Sequence, residues 1–169
     1  MSRDLDAILK DLGGKEIKAK LSGIADLKDI INSGDTDDIR VSEVLEVCSC
    51  LLKDNNFKLV QSSLQCLAQL AEMSGETLKN QETIIVPRVL ECMGHGKQPV
   101  RDSTQEALTV FMELLTPAKV LERCRSAFSH KNPNMREQAL VCLGRAVQHF
   151  GPEAVPVRLY YAAVFNLAE

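Results

Sequence analysis

The chain contains no tryptophan, and aromatic residues make up only 4% of its 169 positions. The core is therefore expected to be aliphatic, and the aromatic pocket that a catalytic or nucleic-acid-processing site needs is missing. A basic surplus is lacking too. There are 20 Lys and Arg against 23 Asp and Glu, a net charge of −3. That argues against a general nucleic-acid binder, because phosphate contacts need excess positive charge. No apolar run reaches the roughly 18–20 residues that span a bilayer, so no membrane partner is expected. The first six residues lack the basic-then-apolar form of a secretory signal. The expected location is the cytoplasm.

Metal-binding motifs are also scarce. Six cysteines are present (Cys48, Cys50, Cys66, Cys92, Cys124 and Cys142), but none forms C-x-x-C and no His stands at ligand spacing from them. They read as reduced core thiols, and no metal or cofactor is expected. His95, His130 and His149 read as turn or cap residues, with no Ser/Cys–His–Asp order to suggest a nucleophile. Gly94-His95-Gly96 lacks the ending and the preceding strand of a phosphate loop. No catalytic residue is assigned, and the chain is not expected to be an enzyme.

What the sequence does contain is a repeated phrase. Its copies are residues 14–20, 54–60, 96–101 and 131–136, each where one helical pattern stops and the next begins. Ala19, Leu59, Val100 and Met135 hold one register position, at spacings of 40, 41 and 35 residues. Self-similarity at that period marks a helical solenoid, an architecture that binds macromolecules along its surfaces.

Apolar residues recur at three- and four-residue steps in segments separated by turn signals. The segments are residues 3–12, 15–31, 41–52, 57–73, 77–93, 99–115, 118–128 and 134–150, with a ninth after Pro156 running to the terminus. Pro87 is expected to kink or interrupt its helix, because it removes a hydrogen bond. The second helices share a core pattern: Leu27, Leu67, Leu108 and Leu143 align, as do Ile24, Leu64 and Leu140, with Gln105 as the odd member. The fold class is all-α, a HEAT-repeat α-solenoid of about four and a half hairpins. The whole chain, 1–169, reads as one array lacking its C-terminal repeats. Its ninth helix carries more apolar surface than one neighbour can cover, which makes it a candidate docking face for another protein.

Charge is concentrated at the repeated phrase. Residues 13–20, 53–58, 94–101 and 129–136 carry +2, +1, +2 and +2, so the remainder of the −3 chain carries −10. Stacking aligns these turns along one edge, a basic ridge on an acidic body that suits an acidic partner. Lys97 and Lys131 sit at turn tips, where packing has little use for them. For Arg101 and Arg136 a structural alternative stands open, pairing with a carboxylate of the Asp102 or Glu137 type in a neighbouring repeat.

Three stretches of these turns resemble the TOG domains of the CLASP family of microtubule-associated proteins. They are Leu51-Leu52-Lys53-Asp54-Asn55-Asn56-Phe57-Lys58, Gly96-Lys97-Gln98-Pro99-Val100-Arg101-Asp102 and Phe128-Ser129-His130-Lys131-Asn132-Pro133-Asn134-Met135-Arg136-Glu137. The likeness runs from about Lys15 to the end. It implies that the intra-repeat turns bind αβ-tubulin or the microtubule lattice and regulate microtubule dynamics, at the cytoskeleton. The tubulin-binding residues it implies are Ile17, Lys18, Asn56, Phe57, Lys58, Lys97, Gln98, Arg101, Lys131, Asn132 and Arg136. Many TOG domains carry a Trp in the first turn, where this chain has Ile17, and the family uses a fifth turn beyond the four found here. Phe57 has an alternative as a packing residue at its hairpin corner. The alternative function is a HEAT-repeat adaptor or scaffold that binds a non-tubulin partner.

Overall fold

The structure, a computed structural model, describes residues 4–34 and 40–166. Among these residues there are nine α-helices and no strand. They are α1 (Leu5–Gly13), α2 (Ile17–Ser33), α3 (Val41–Leu51), α4 (Phe57–Met73), α5 (Gly75–Glu91), α6 (Gln98–Leu115), α7 (Pro117–Cys124), α8 (Pro133–Phe150) and α9 (Tyr161–Asn166). Four antiparallel hairpins pair α1 with α2, α3 with α4, α5 with α6 and α7 with α8. Helices α1, α3, α5 and α7 pack on one another in one layer, and α2, α4, α6 and α8 in a second.

The core between the layers is aliphatic, as the scarcity of rings requires. Leu27, Leu67 and Leu108 are fully buried and Leu143 nearly so, one from each second helix. Each such side chain withdrawn from water stabilises the array by about 1.5–3 kcal/mol. Gln105, the odd member of the neighbouring register, is buried too. Its Nε2 donates to the backbone carbonyl of Gln138 at 2.9 Å and to Gln138 Oε1 at 3.0 Å. A polar residue is tolerated there because α8 supplies its acceptors.

Several helix ends differ from the sequence-based expectation. Helix α5 runs through Pro87 without interruption. The carbonyl deprived of a partner belongs to Thr83, an exposed residue. Where one long helix is expected to reach Phe128, α7 ends at Cys124 and the chain tightens into a 3-10 turn over Arg125–Ser129. A similar 3-10 turn, Cys92–Gly94, follows α5. The segment after Pro156 begins as a 3-10 turn, Val157–Tyr160, before α9. The expected extension of the last helix to the terminus, with Leu167, lies outside the described residues, as do residues 35–38 of the acidic loop. Gly34, which closes α2, has φ +72°, a left-handed geometry that favours glycine.

The thiols follow the repeat. Cys48, Cys66, Cys92, Cys124 and Cys142 are buried and Cys50 is exposed. Cys48 faces Cys66 across the second hairpin and Cys124 faces Cys142 across the fourth. In each pair the thiol contact, with burial, pushes the first thiol's pKa well up. These are protonated core side chains. Among the described residues, no three His, Cys, Asp or Glu side chains converge as a metal site.

Candidate functional site

The four intra-hairpin turns follow one another along one edge, and contacts between successive turns hold them in line. In three of them a side chain accepts a hydrogen bond from the backbone N–H two residues later. Asp54 Oδ1 accepts from Asn56 N at 2.9 Å, His95 Nδ1 from Lys97 N at 3.0 Å, and His130 Nδ1 from Asn132 N at 3.0 Å. These bonds satisfy turn donors that no helix can use. Asn56 and Asn132 then cap the helices that follow. Their Oδ1 atoms accept from Lys58 N and Asn134 N, both at 3.0 Å.

The third and fourth turns are near-copies 35 residues apart. In one, Arg101 Nη1 donates to the His95 carbonyl at 2.7 Å. In the other, Arg136 Nη1 donates to the His130 carbonyl at 2.7 Å and to that of Lys131 at 3.1 Å. Both guanidinium groups thus brace their own turns. Among the described residues, neither arginine has the carboxylate pairing left open for it. Asp102 instead accepts from Gln98 Nε2 at 2.6 Å, and Gln98 Oε1 accepts from Arg101 Nη2.

Three contacts run between turns. Lys20 Nζ, at the start of α2, reaches Asp54 Oδ2 in the second turn at 2.8 Å. Both side chains are largely withdrawn from solvent. The Lys20 ammonium and the Asn56 N–H hold the Asp54 carboxyl below the usual carboxylate range. Lys97 Nζ lies 5.6 Å from the centre of the Phe57 ring, a cation–π contact between the third turn and the second. Asn132 Nδ2 donates to the Gly94 carbonyl at 3.0 Å, joining the fourth turn to the third. Glycine at its acceptor leaves room for that bond. A Cβ on Gly94 would stand 2.9 Å from Asn132 Nδ2 and 3.0 Å from Met135 Cγ.

This edge gathers the sequence-derived candidates and separates them by role. Ile17, Lys18, Lys58, Lys97, Gln98 and Lys131 are exposed, while Asn56, Phe57, Arg101, Asn132 and Arg136 are half-buried. Ile17 is 52% exposed, an apolar side chain left in water at the first turn. Phe57 packs partly against the core with its ring under the Lys97 ammonium, so the hairpin-corner role and the edge role meet in one residue. Among the described residues, Lys18, Lys58 and Lys131 have no carboxylate at ion-pair distance and are available to an incoming one. Asn132 spends both ends of its amide internally.

Sequence reasoning missed the Lys20–Asp54 tie and the role of Gly94. The signal for the braced turns was present, since His95, Lys97 and Arg101 recur as His130, Asn132 and Arg136 in step. Between the second, third and fourth turns lies a cleft of about 370 Å³, bordered by Leu52, Cys92, Met135, His95 and His130 among others. In the C-terminal segment, which packs on the 3-10 turn Arg125–Ser129 through the Phe128–Tyr160 ring contact, Leu159 and Phe165 are 56% and 70% exposed.

Comparison with known proteins agrees with this architecture. The family model of the XMAP215/Dis1/CLASP TOG domain matches residues 9–168. A CLIP-associated protein of Arabidopsis thaliana is 31% identical over 157 residues, covering 91% of this chain and 11% of that protein. The solved MAST/Orbit N-terminal domain superposes with a TM-score of 0.85 at 25% identity, over 97% of this chain and 74% of that one. A structure reported for TOG–tubulin binding specificity in microtubule dynamics and mitotic spindle formation is 18% identical, with a TM-score of 0.68. It covers 89% of this chain and 63% of that one, and is alike in fold. The chain spans only 11% of the length of the first curated relatives it matches.

Proposed function

The chain belongs to the XMAP215/Dis1/CLASP TOG-domain family, and we propose that it binds αβ-tubulin or the microtubule lattice through the edge formed by its four intra-hairpin turns. The observation that carries this reading is the alignment itself. Turns with a surplus of Lys and Arg are linked from first to fourth by an ion pair, a cation–π contact and a hydrogen bond. Binding needs such an edge to be stiff, because ordering loose turns on contact costs affinity. The relative reported for TOG–tubulin binding has the same fold.

The residues divide into those that touch and those that hold. Lys18, Lys58, Lys97 and Lys131 supply attraction to an acidic surface, and Ile17 supplies apolar contact. Asn56, Asn132, Arg101 and Arg136 fix the turns, while Gln98 and Phe57 position the Arg101 and Lys97 side chains. The action is recognition by charge and shape, without chemistry, at the cytoskeleton in the cytoplasm. Array continuation beyond the four hairpins is part of the same proposal, as the MAST/Orbit domain is longer than this chain.

A second reading, a HEAT-repeat scaffold for a non-tubulin protein, draws on the exposed apolar side chains Leu159, Tyr161, Val164 and Phe165 at the C-terminal end. Co-elution with αβ-tubulin on size exclusion at low salt separates the two. The turn-edge proposal expects the wild type to shift with tubulin and Lys97→Glu/Lys131→Glu to stay behind. Retention of tubulin by the double variant, with loss in Phe165→Glu, would overturn it.

A further inference from the structure

The cleft between the second, third and fourth turns has an apolar floor and a rim of hydrogen-bond donors. Leu52 and Cys92 are buried and Met135 is half-buried beneath it. Burial, with Glu91 nearby, pushes the Cys92 thiol up to about 12, so it is neutral and behaves as a small apolar group. The Asn132 amide is part of the wall. Both ends of it are held by the protein, Nδ2 donating to Gly94 and Oδ1 accepting from Asn134.

The rim follows from the tautomers. His95 and His130 each accept a backbone N–H at Nδ1. A neutral imidazole used that way carries its proton on Nε2, which is then a donor. His95 and His130 both line the cleft together with Lys53, and Nε2–H is the donor that each imidazole has left for a ligand. Glu91 is the one carboxylate on the rim. A cleft with an apolar floor and donors above it suits an apolar side chain flanked by carboxylates, and the exposed lysines of the turns extend the same preference outward.

Resting on the reading of this edge as a site for an acidic protein, we propose that the cleft receives an apolar side chain that the partner presents between carboxylates. His95 and His130 then decide which acidic surfaces are accepted. Lysines alone attract any acidic surface, whereas the cleft selects one with a projecting apolar group.

The test uses the whole chain, ¹⁵N-labelled, titrated with Ac-Glu-Leu-Glu-NH₂ and with Ac-Glu-Gly-Glu-NH₂. The Leu peptide is expected to bind about tenfold more tightly, from partial burial of one Leu side chain. Its shifts should concentrate on residues 92–96 and 130–135. His95→Asn/His130→Asn keeps an oxygen acceptor for the turns, as Asp54 does in the second, but removes both Nε2 donors. It is expected to weaken the Leu peptide severalfold. Equal affinity for the two peptides, or shifts confined to other surfaces, would overturn the proposal. Cleft shifts without tubulin co-elution would uphold the cleft and sink the tubulin reading. Tubulin co-elution without cleft shifts would do the reverse.

Discussion

Asn132 donates from Nδ2 to the carbonyl of Gly94 at 3.0 Å while its Oδ1 caps α8 through Asn134 N. One side chain thus starts a helix and fastens the fourth turn to the third. Asn132→Ala is expected to lower stability by about 1–2 kcal/mol, the upper range for a lost cap. Asn56→Ala removes a cap with no cross-turn bond and is expected to cost less. Gly94→Ala should be destabilising as well, since its Cβ meets Asn132 and Met135. Urea unfolding of the three variants checks the order.

The Lys20–Asp54 pair predicts an acid-sensitive component of stability. Lys20, and then the Asn56 N–H, lower the Asp54 pKa in the folded state. A lowered carboxyl stabilises the fold above the unfolded value of about 3.9, and the contribution is lost as pH falls through the folded value. Lys20→Met is expected to cost about 2 kcal/mol at neutral pH and to flatten the acid limb. Unfolding curves across that pH range provide the check.

His95 gives a second window, at higher pH. Burial, followed by the Arg101 charge, lowers its pKa in the fold. Its neutral form is the one the fold favours. That contribution is complete above the unfolded value of about 6.5 and declines as pH falls from there toward the folded value. Protonation at Nδ1 would also break the bond from Lys97 N. His95→Asn keeps an acceptor and cannot titrate, so its stability should change less across this window. An unchanged pH slope in the variant would count against the role.

Thiol reactivity follows burial. Cys50 is exposed and the other five cysteines are buried. Native protein is expected to react with an aromatic disulfide reagent at one site per chain, and at all six only after denaturation. Fast reaction at Cys48, Cys66, Cys124 or Cys142 would mean that the hairpins open far more readily than their packing implies.

Much of the fold was legible because its signals are local and repeated. The register of Leu27, Leu67, Leu108 and Leu143 announces a core, and Pro99, Pro117 and Pro133 mark helix starts. The family likeness in the turns led to the TOG assignment. Less legible was anything decided across repeats. Nothing in the local sequence says that Lys20 reaches Asp54, that Gln105 finds Gln138, or that Asn132 meets Gly94. Such contacts depend on the stacking angle between hairpins. The interruption allowed for at Pro87 does not occur, since α5 is continuous from Gly75 to Glu91. The cost of such a residue depends on whether the freed carbonyl faces water, a property of the packed array. The carboxylate pairing left open for Arg101 and Arg136 was not decidable locally because a guanidinium has several possible acceptors, and here the backbone carbonyls of its own turn take it.

The most direct test of the central claim is amide hydrogen exchange of the chain with and without αβ-tubulin. The account predicts protection in residues 14–20, 53–58, 94–101 and 129–136, fading as ionic strength rises. Protection confined to residues 157–166, insensitive to salt, would contradict it and place the binding surface at the C-terminal end.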